Sequence, residues 1–232
     1  MPSSRRDHAY LEIKRRIVHG ELAPGMPLSE VELARQIRTS RTPVREALSR
    51  LLEEGYVERV PARGYFVTPI TVTLIQNVFE VRRLLEGAAA ARAAEFADPA
   101  AIARLRALAT CEYAGEDAAS FRKAAEANGA FHLAVAQASR NAIIVDLVRH
   151  CLDQVTRIIA LGIDYAPLQK PASGEHDAVV DAIERRDPEG ARAAVERHLD
   201  GSSRRMMDAL IHGGTYAVTV SRAATGGSIE AC

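Results

Sequence analysis

The sequence predicts a mainly α-helical protein in two parts: three helices with a β-hairpin, then an all-α antiparallel bundle. Three observations predict it. Residues 29–54 read as two short helices joined by a tight turn, the second with arginines at its start. After Gly55 the apolar spacing changes from helical to alternating, and only as far as Val67. Beyond Pro69 no strand pattern recurs, and helical periodicity continues to about Leu210.

The first helix is expected over roughly Asp7 to His19, with Tyr10, Leu11, Ile13, Ile17 and Val18 on its apolar side. Gly20 ends it, and Pro24-Gly25 makes a turn. Ser29 with Glu32 three residues on forms a capping box for the second helix, whose stripe is Val31, Leu33, Ala34 and Ile37. Thr39-Ser40-Arg41 breaks that helix, and Thr42 is read as the next cap with Pro43 at the first helical position. Val44, Ala47, Leu48, Leu51 and Leu52 give the third helix its buried face, and Gly55 stops it. Arg41 and Arg45 remain near its open N-terminal end, where a recognition helix meets base edges and phosphates. Residues 56–60 and 65–67 alternate as strands around a turn holding Arg63 and Gly64. Residues 5–70 thus make a winged helix-turn-helix, with Arg63 and Gly64 at the wing tip. Gly64 has no side chain to hold the backbone away from a phosphate or groove floor.

Composition is consistent with this division. At 232 residues the chain has room for two modest domains. The formal net charge is zero, yet residues 1–70 carry twelve basic against nine acidic side chains, which suits a nucleic-acid module on a neutral-to-acidic partner. No apolar run reaches membrane-spanning length, and the N-terminus lacks the apolar core of a signal peptide. Cys111, Cys151 and Cys232, odd in number and far apart, make neither a disulfide framework nor a zinc knuckle. The expectation is a soluble cytoplasmic protein that does not enter the membrane.

Residues 71–212 are expected to hold six helices. Leu74, Val78, Val81, Leu85 and Ala88 share one face of the first. Asp98-Pro99 opens the second, residues 117–138 form the third, and Asn141 starts the fourth. The fourth is apolar on more than one side (Ile143, Ile144, Leu147, Val148, Cys151, Leu152, Val155, Ile158, Ile159), which marks a central helix or a subunit interface. The fifth spans roughly Pro171 to Arg186, and Asp187-Pro188 opens the sixth. Residues 213–232, rich in Thr, Ser and Gly, are expected to be a flexible tail.

The chemistry lies on the inward stripes. On the third bundle helix Asn128 and His132, one turn apart, lie with Phe121, Ala125 and Val135. His176 shares a face with Val179, Val180 and Ile183, and His198 with Ala191, Val195 and Ser202. A lone inward histidine is more often a satisfied core residue than a ligand. Three imidazoles and an amide converging from different helices are costly to bury unpartnered, and one divalent cation would satisfy them together. His8, His19, His150 and His212 have no such context and read as surface.

The stretches IVHGELAPGMPLSE, LARQ and SRTPVREALSRLLEEGYVERVPARGYFV resemble the N-terminal pattern of the GntR family of bacterial transcription regulators. By that resemblance Arg41, Thr42 and Arg45 contact DNA from the recognition helix, and Arg63 with Gly64 enters the minor groove. Some members carry a further arginine where this chain has Val31, so one contact is expected to be missing. ANGAFHLAVAQASRN and EHDAVVDAIERRDPEGARAAVERH resemble the FCD ligand-binding domain of the FadR subgroup. That resemblance implies a zinc-like ion, zinc itself or nickel or another transition metal, on His132, His176 and His198, with Asn128 where the family has an aspartate. It also implies that Arg82 reaches the cavity and grips an effector carboxylate. The competing reading of Arg82 is an i,i+4 surface pair with Glu86.

The expected function is therefore a homodimeric, ligand-responsive regulator, a repressor, that binds operator DNA and senses a small organic acid through a metal-containing cavity. Two alternatives stand beside it. One is a metal-dependent hydrolase, disfavoured because no spare carboxylate lies on an evident inward stripe and no phosphate loop or nucleophile elbow is present. The other is a constitutive DNA-binding dimer whose histidines are core.

Overall fold

A computed structural model of the chain describes residues 5–109, 118–160 and 174–212. The expected tail 213–232, the start of the fifth bundle helix at Pro171, and Cys111 and Cys232 lie outside the described residues. Among the described residues there are nine helices and three short strands, mainly α as expected.

The N-terminal part runs α1 (Arg5–Val18), β1 (Pro27–Leu28), α2 (Glu30–Ile37), α3 (Arg41–Glu53), β2 (Val57–Val60) and β3 (Gly64–Val67). Ser29 caps α2 by accepting from the Glu32 N–H, as the capping box predicts. The start of α3 differs from expectation: Ser40 is the N-cap, and Thr42 and Pro43 are the second and third helical residues. Proline is tolerated there because the first-turn N–H groups have no intrahelical acceptor. The wing gains a strand that the sequence pattern hides, since β1 pairs antiparallel with β3 to give the order β1-β3-β2. Two residues are too few to show a period.

Ala9, Tyr10, Ile13, Ile17, Leu33, Ala34, Ile37, Val44, Ala47, Leu48, Leu51, Tyr56, Val57 and Val67 join in one core. Full burial of a side chain such as Leu48 or Leu51 contributes roughly 1.5–3 kcal/mol. Leu11, Val31 and Leu52, assigned to inward stripes by the sequence, are exposed. Each is close to a buried position along the chain but on the side of its helix that no described neighbour covers, which apolar spacing alone does not reveal.

The C-terminal part is an all-helical bundle: α4 (Val72–Phe96), α5 (Pro99–Ala109), α6 (Ala118–Ala138), α7 (Ala142–Ala160), α8 (Glu175–Glu184) and α9 (Pro188–His212). Its helix starts are encoded locally. The carboxylate of Asp98 accepts from the Ala101 N–H, the Asn141 amide oxygen from Ile143 and Ile144, and Asp187 from Gly190. Each such cap contributes on the order of 1 kcal/mol.

Helix α4 corrects the expected stripe. The buried residues include Ile75, Val78, Phe79, Arg82, Glu86, Ala89, Ala90 and Ala93, whereas Val81 is exposed and Leu74, Leu85 and Ala88 are only partly covered. The true inward face passes through a charged pair, which an apolar pattern cannot reveal.

Helix α7 joins the two parts. The buried Tyr56 hydroxyl donates to Asp153 at 3.1 Å and lies 3.3 Å from His150 Nδ1. Lys14 pairs with Asp153 at 2.9 Å, and Arg157 donates to the Thr68 carbonyl at 2.7 Å. A Cβ at Gly20 would stand 3.0 Å from the Ala160 side chain, and its φ of +75° is one that glycine adopts freely. His150 is therefore a half-buried junction residue rather than a surface one, and burial pushes its pKa down. Tyr56→Phe should destabilise the protein by about 1 kcal/mol by removing this hydrogen bond. Denaturant unfolding of the two proteins checks it, and an unchanged midpoint would show that the bond contributes nothing.

Candidate functional site

The first candidate surface is built by α3 and the wing. Val44, Ala47, Leu48 and Leu51 face the core, so the helical period turns Arg41, Thr42 and Arg45 outward, and all three are exposed. Glu30, at the start of α2, accepts two hydrogen bonds from Arg45 (3.0 and 2.9 Å) and one from Arg41 (3.3 Å). These bonds, Arg45 first, hold the Glu30 carboxyl below the ordinary range. Exposed pairs of this kind contribute little stability and are readily exchanged for a phosphate. Arg63 lies over the Phe66 ring at 5.1 Å, and Gly64 has a φ of +95° with open space where a Cβ would sit. The surface offers guanidinium groups on a helix N-terminus and a bare wing backbone, the donors that bases and phosphates accept from.

The second candidate site lies inside the bundle. His132 on α6, His176 on α8 and His198 on α9 offer ligand atoms that all lie within 4.8 Å of one another. His132 is 1% and His198 3% exposed. Their Nε2 atoms are 3.1 Å apart, and the buried Nε2 of His176 has no hydrogen-bond partner among the described residues. His176 also stacks on Phe131, with ring centroids 4.0 Å apart, which fixes its plane. Asn128, one turn before His132 on the same helix, is half-buried.

Helix α4 supplies the charges. Arg82 is 2% and Glu86 1% exposed, and Arg82 Nε donates to Glu86 Oε1 at 2.7 Å. The i,i+4 pair exists, but it is buried rather than on the surface. Arg82 Nη2 has no partner among the described residues. Glu86 Oε2 lies 2.5 Å from His132 Nδ1, a contact of hydrogen-bonding length between a carboxylate and an imidazole nitrogen. On the far side, His198 Nδ1 meets Glu175 at 2.7 Å. Two carboxylates thus stand beside the histidines that sequence reasoning passed over. The i,i+4 spacing from Arg82 and the position next to His176 were the signals available.

These surroundings fix the protonation states. Burial first, against the opposing pull of Glu86, lowers the His132 pKa to about 4, and burial with the neighbouring histidines lowers that of His176 to about 2. Both rings are neutral at pH 7, the form that ligates metals. Burial alone would raise Glu86, but Arg82 and His132 override it and hold its pKa down to about 2. The donor set fits a divalent ion: three imidazoles converge, and one buried nitrogen has no hydrogen-bond partner among the described residues. Glu86 does not fill the role of a general base, because Arg82 holds one oxygen and His132 stands against the other.

The metal-free protein should lose stability as pH falls. Between about pH 6.5 and 4 the unfolded chain protonates both histidines while the folded chain resists, and Glu86 adds a loss from about 4.5 toward 2. Thermal melting of chelator-treated protein at several pH values in that span checks this, and a flat midpoint would contradict burial of neutral rings.

Known proteins share this architecture. Residues 5–67 match the bacterial regulatory proteins of the gntR family, and residues 77–201 match the FCD domain. The galactonate operon transcriptional repressor of Escherichia coli is 29% identical over 90% of this chain and 99% of its own length. The HTH-type transcriptional repressor RspR of Escherichia coli is 27% identical over 82% of this chain and 83% of its own. The crystal structure of a transcriptional regulator from Rhodococcus sp. RHA1 superposes with a TM-score of 0.72 at 24% identity, covering 89% of this chain and 99% of that one. With the recognition helix, wing and histidine-bearing bundle in place, the chain belongs to the GntR family and carries an FCD domain: it is a DNA-binding transcriptional regulator.

Proposed function

We propose that this regulator is a homodimeric repressor of the FadR subgroup that releases or tightens its hold on operator DNA when a small carboxylate enters a metal-containing cavity. The observation that carries the reading is the convergence of His132, His176 and His198 on one point beside a buried arginine whose Nη2 is unpaired among the described residues. A divalent ion, zinc or a related transition metal, would be held by the three imidazoles and by the amide oxygen of Asn128. It would supply positive charge and an exchangeable coordination position. Arg82 Nη2 would take a second oxygen of the same ligand. One relative is named for a galactonate operon, and galactonate is itself a carboxylate.

DNA would be read by Arg41, Thr42 and Arg45 in the major groove and by Arg63 and Gly64 at the minor groove. A two-fold dimer would set two such units on a pseudo-palindromic site. The apolar second face of α7 supports dimerisation: Ile143 is 72% exposed, and Leu147 is exposed one turn on. Val81 and Leu84 are likewise uncovered on α4, which packs against α7. The route between sites is α7 as well. Leu85 and Ala89 of α4 pack against its Val148 and Leu152, while its Asp153 and Arg157 hold Tyr56 and Thr68 of the N-terminal part. A shift of α4 on ligand binding would therefore reach the recognition helix through one rigid element, and the coupling must act in both directions.

Arg45→Ala should weaken binding to a duplex selected by the wild-type protein from a randomised pool by about tenfold to a hundredfold, the loss of one base-reading arginine. Gel-shift titration measures it, and retained specific affinity would remove Arg45 from the interface. His176→Ala should lower the metal content of the purified protein, read by elemental analysis. Small carboxylic acids should raise the melting midpoint of the metal-loaded protein but not of chelator-treated protein. Unchanged metal content in the variant, or no acid-dependent shift, would return the histidines to the core.

A further inference from the structure

Glu175 and Glu86 stand behind two of the three histidines. Glu175 is the first residue of α8, immediately before His176, and its Oε2 lies 2.7 Å from His198 Nδ1. Arg205 of α9 approaches the same oxygen at 3.6 Å. Glu86 stands against His132 Nδ1 while Arg82 holds its other oxygen. In both cases the carboxylate meets Nδ1, and Nε2 of the same ring faces the cluster, where the two Nε2 atoms are 3.1 Å apart. The two nitrogens of an imidazole point to different sides of the ring. A carboxylate seated on Nδ1 is therefore not a ligand of an ion bound at Nε2, and its effect on that ion passes through the ring.

We propose that Glu175 and Glu86 are the positioning carboxylates of this centre: they keep the proton of His198 and His132 on Nδ1 and leave both Nε2 lone pairs open toward the ion. The inference rests on the metal reading above and adds where the compensating negative charge resides. Three neutral imidazoles and the amide of Asn128 contain no anion, so the two glutamates carry that charge one layer out. The ion then has no anion in direct contact, which leaves its open side to an anionic ligand. Because Glu175 precedes His176 directly, the first turn of α8 both offers one ligand and orients another on α9.

The test uses Glu175, which is partly exposed and does not anchor the core. Long-range proton–nitrogen spectra of metal-free, histidine-labelled full-length protein read the tautomer of each ring. Wild type should show His198 protonated at Nδ1, and Glu175→Ala should shift it toward a mixture. Chelator competition should show zinc affinity reduced by roughly 10- to 100-fold in that variant. Glu175→Gln, whose amide oxygen accepts the same hydrogen bond, should recover most of the loss. Glu86→Gln should weaken zinc in the same direction; if it fails to fold, the Glu175 pair still decides. An unchanged His198 tautomer with unchanged zinc affinity in Glu175→Ala would overturn the proposal. So would a Glu175→Gln variant no better than the alanine. Absence of zinc binding by wild type would instead sink the metal reading, and the tautomer comparison in metal-free protein would still judge the positioning role.

Discussion

The buried Arg82–Glu86 pair on α4 is the constraint around which the bundle is arranged. Removing two opposite charges from water costs several kcal/mol for each ion, and their mutual attraction at best offsets it unless further partners satisfy the remaining atoms. Glu86 is held down to about 2 by Arg82 and His132 together, so its charge persists in an interior that would otherwise neutralise it. Arg82 retains an Nη2 with no partner among the described residues. A pair kept charged at this depth, with one donor unspent, is poorly explained as a stability device. It suits the proposed anion site, where the spare donor would have a partner.

The same logic applies at the junction between the two parts of the chain. Arg157 is buried with no carboxylate partner among the described residues; it donates to Gln154 and to the Thr68 carbonyl, and burial lowers its pKa to about 10. Tyr56, Asp153 and Lys14 add directional bonds beside it. These contacts hold geometry more than they hold energy, since each polar group must stay near its partner to offset its own desolvation. The recognition helix is thereby referenced to α7, and α7 to α4. The regulator's two sites are joined through packed elements and not through a loop.

Much of this architecture was legible because it is local. Ser29, Asp98, Asn141 and Asp187 announced helix starts, and cap hydrogen bonds form at all of them. Helical spacing placed His132, His176 and His198 on inward faces; His132 and His198 are buried, and His176 is half-buried with them. Failures arose where burial depends on a neighbour. The inward face of α4 was assigned to its leucines and valines, yet Arg82 and Glu86 are deeper than Leu85. Leu11 and Val31 looked like core and lie outside it, while His150 looked like surface and lies at the junction.

What the residues determined by themselves is the order of the helices and the hairpin, most of the helix caps, the winged recognition module and the three helices that carry histidine. Each follows from interactions within a few positions, where spacing and side-chain chemistry suffice. Tertiary structure alone decided which polar groups are buried together. That Glu86 stands behind His132, that Glu175 stands behind His198, and that α7 binds Tyr56 depend on how separate helices cross. No local pattern records a crossing angle, because the free energy that sets it is shared among residues far apart in the chain.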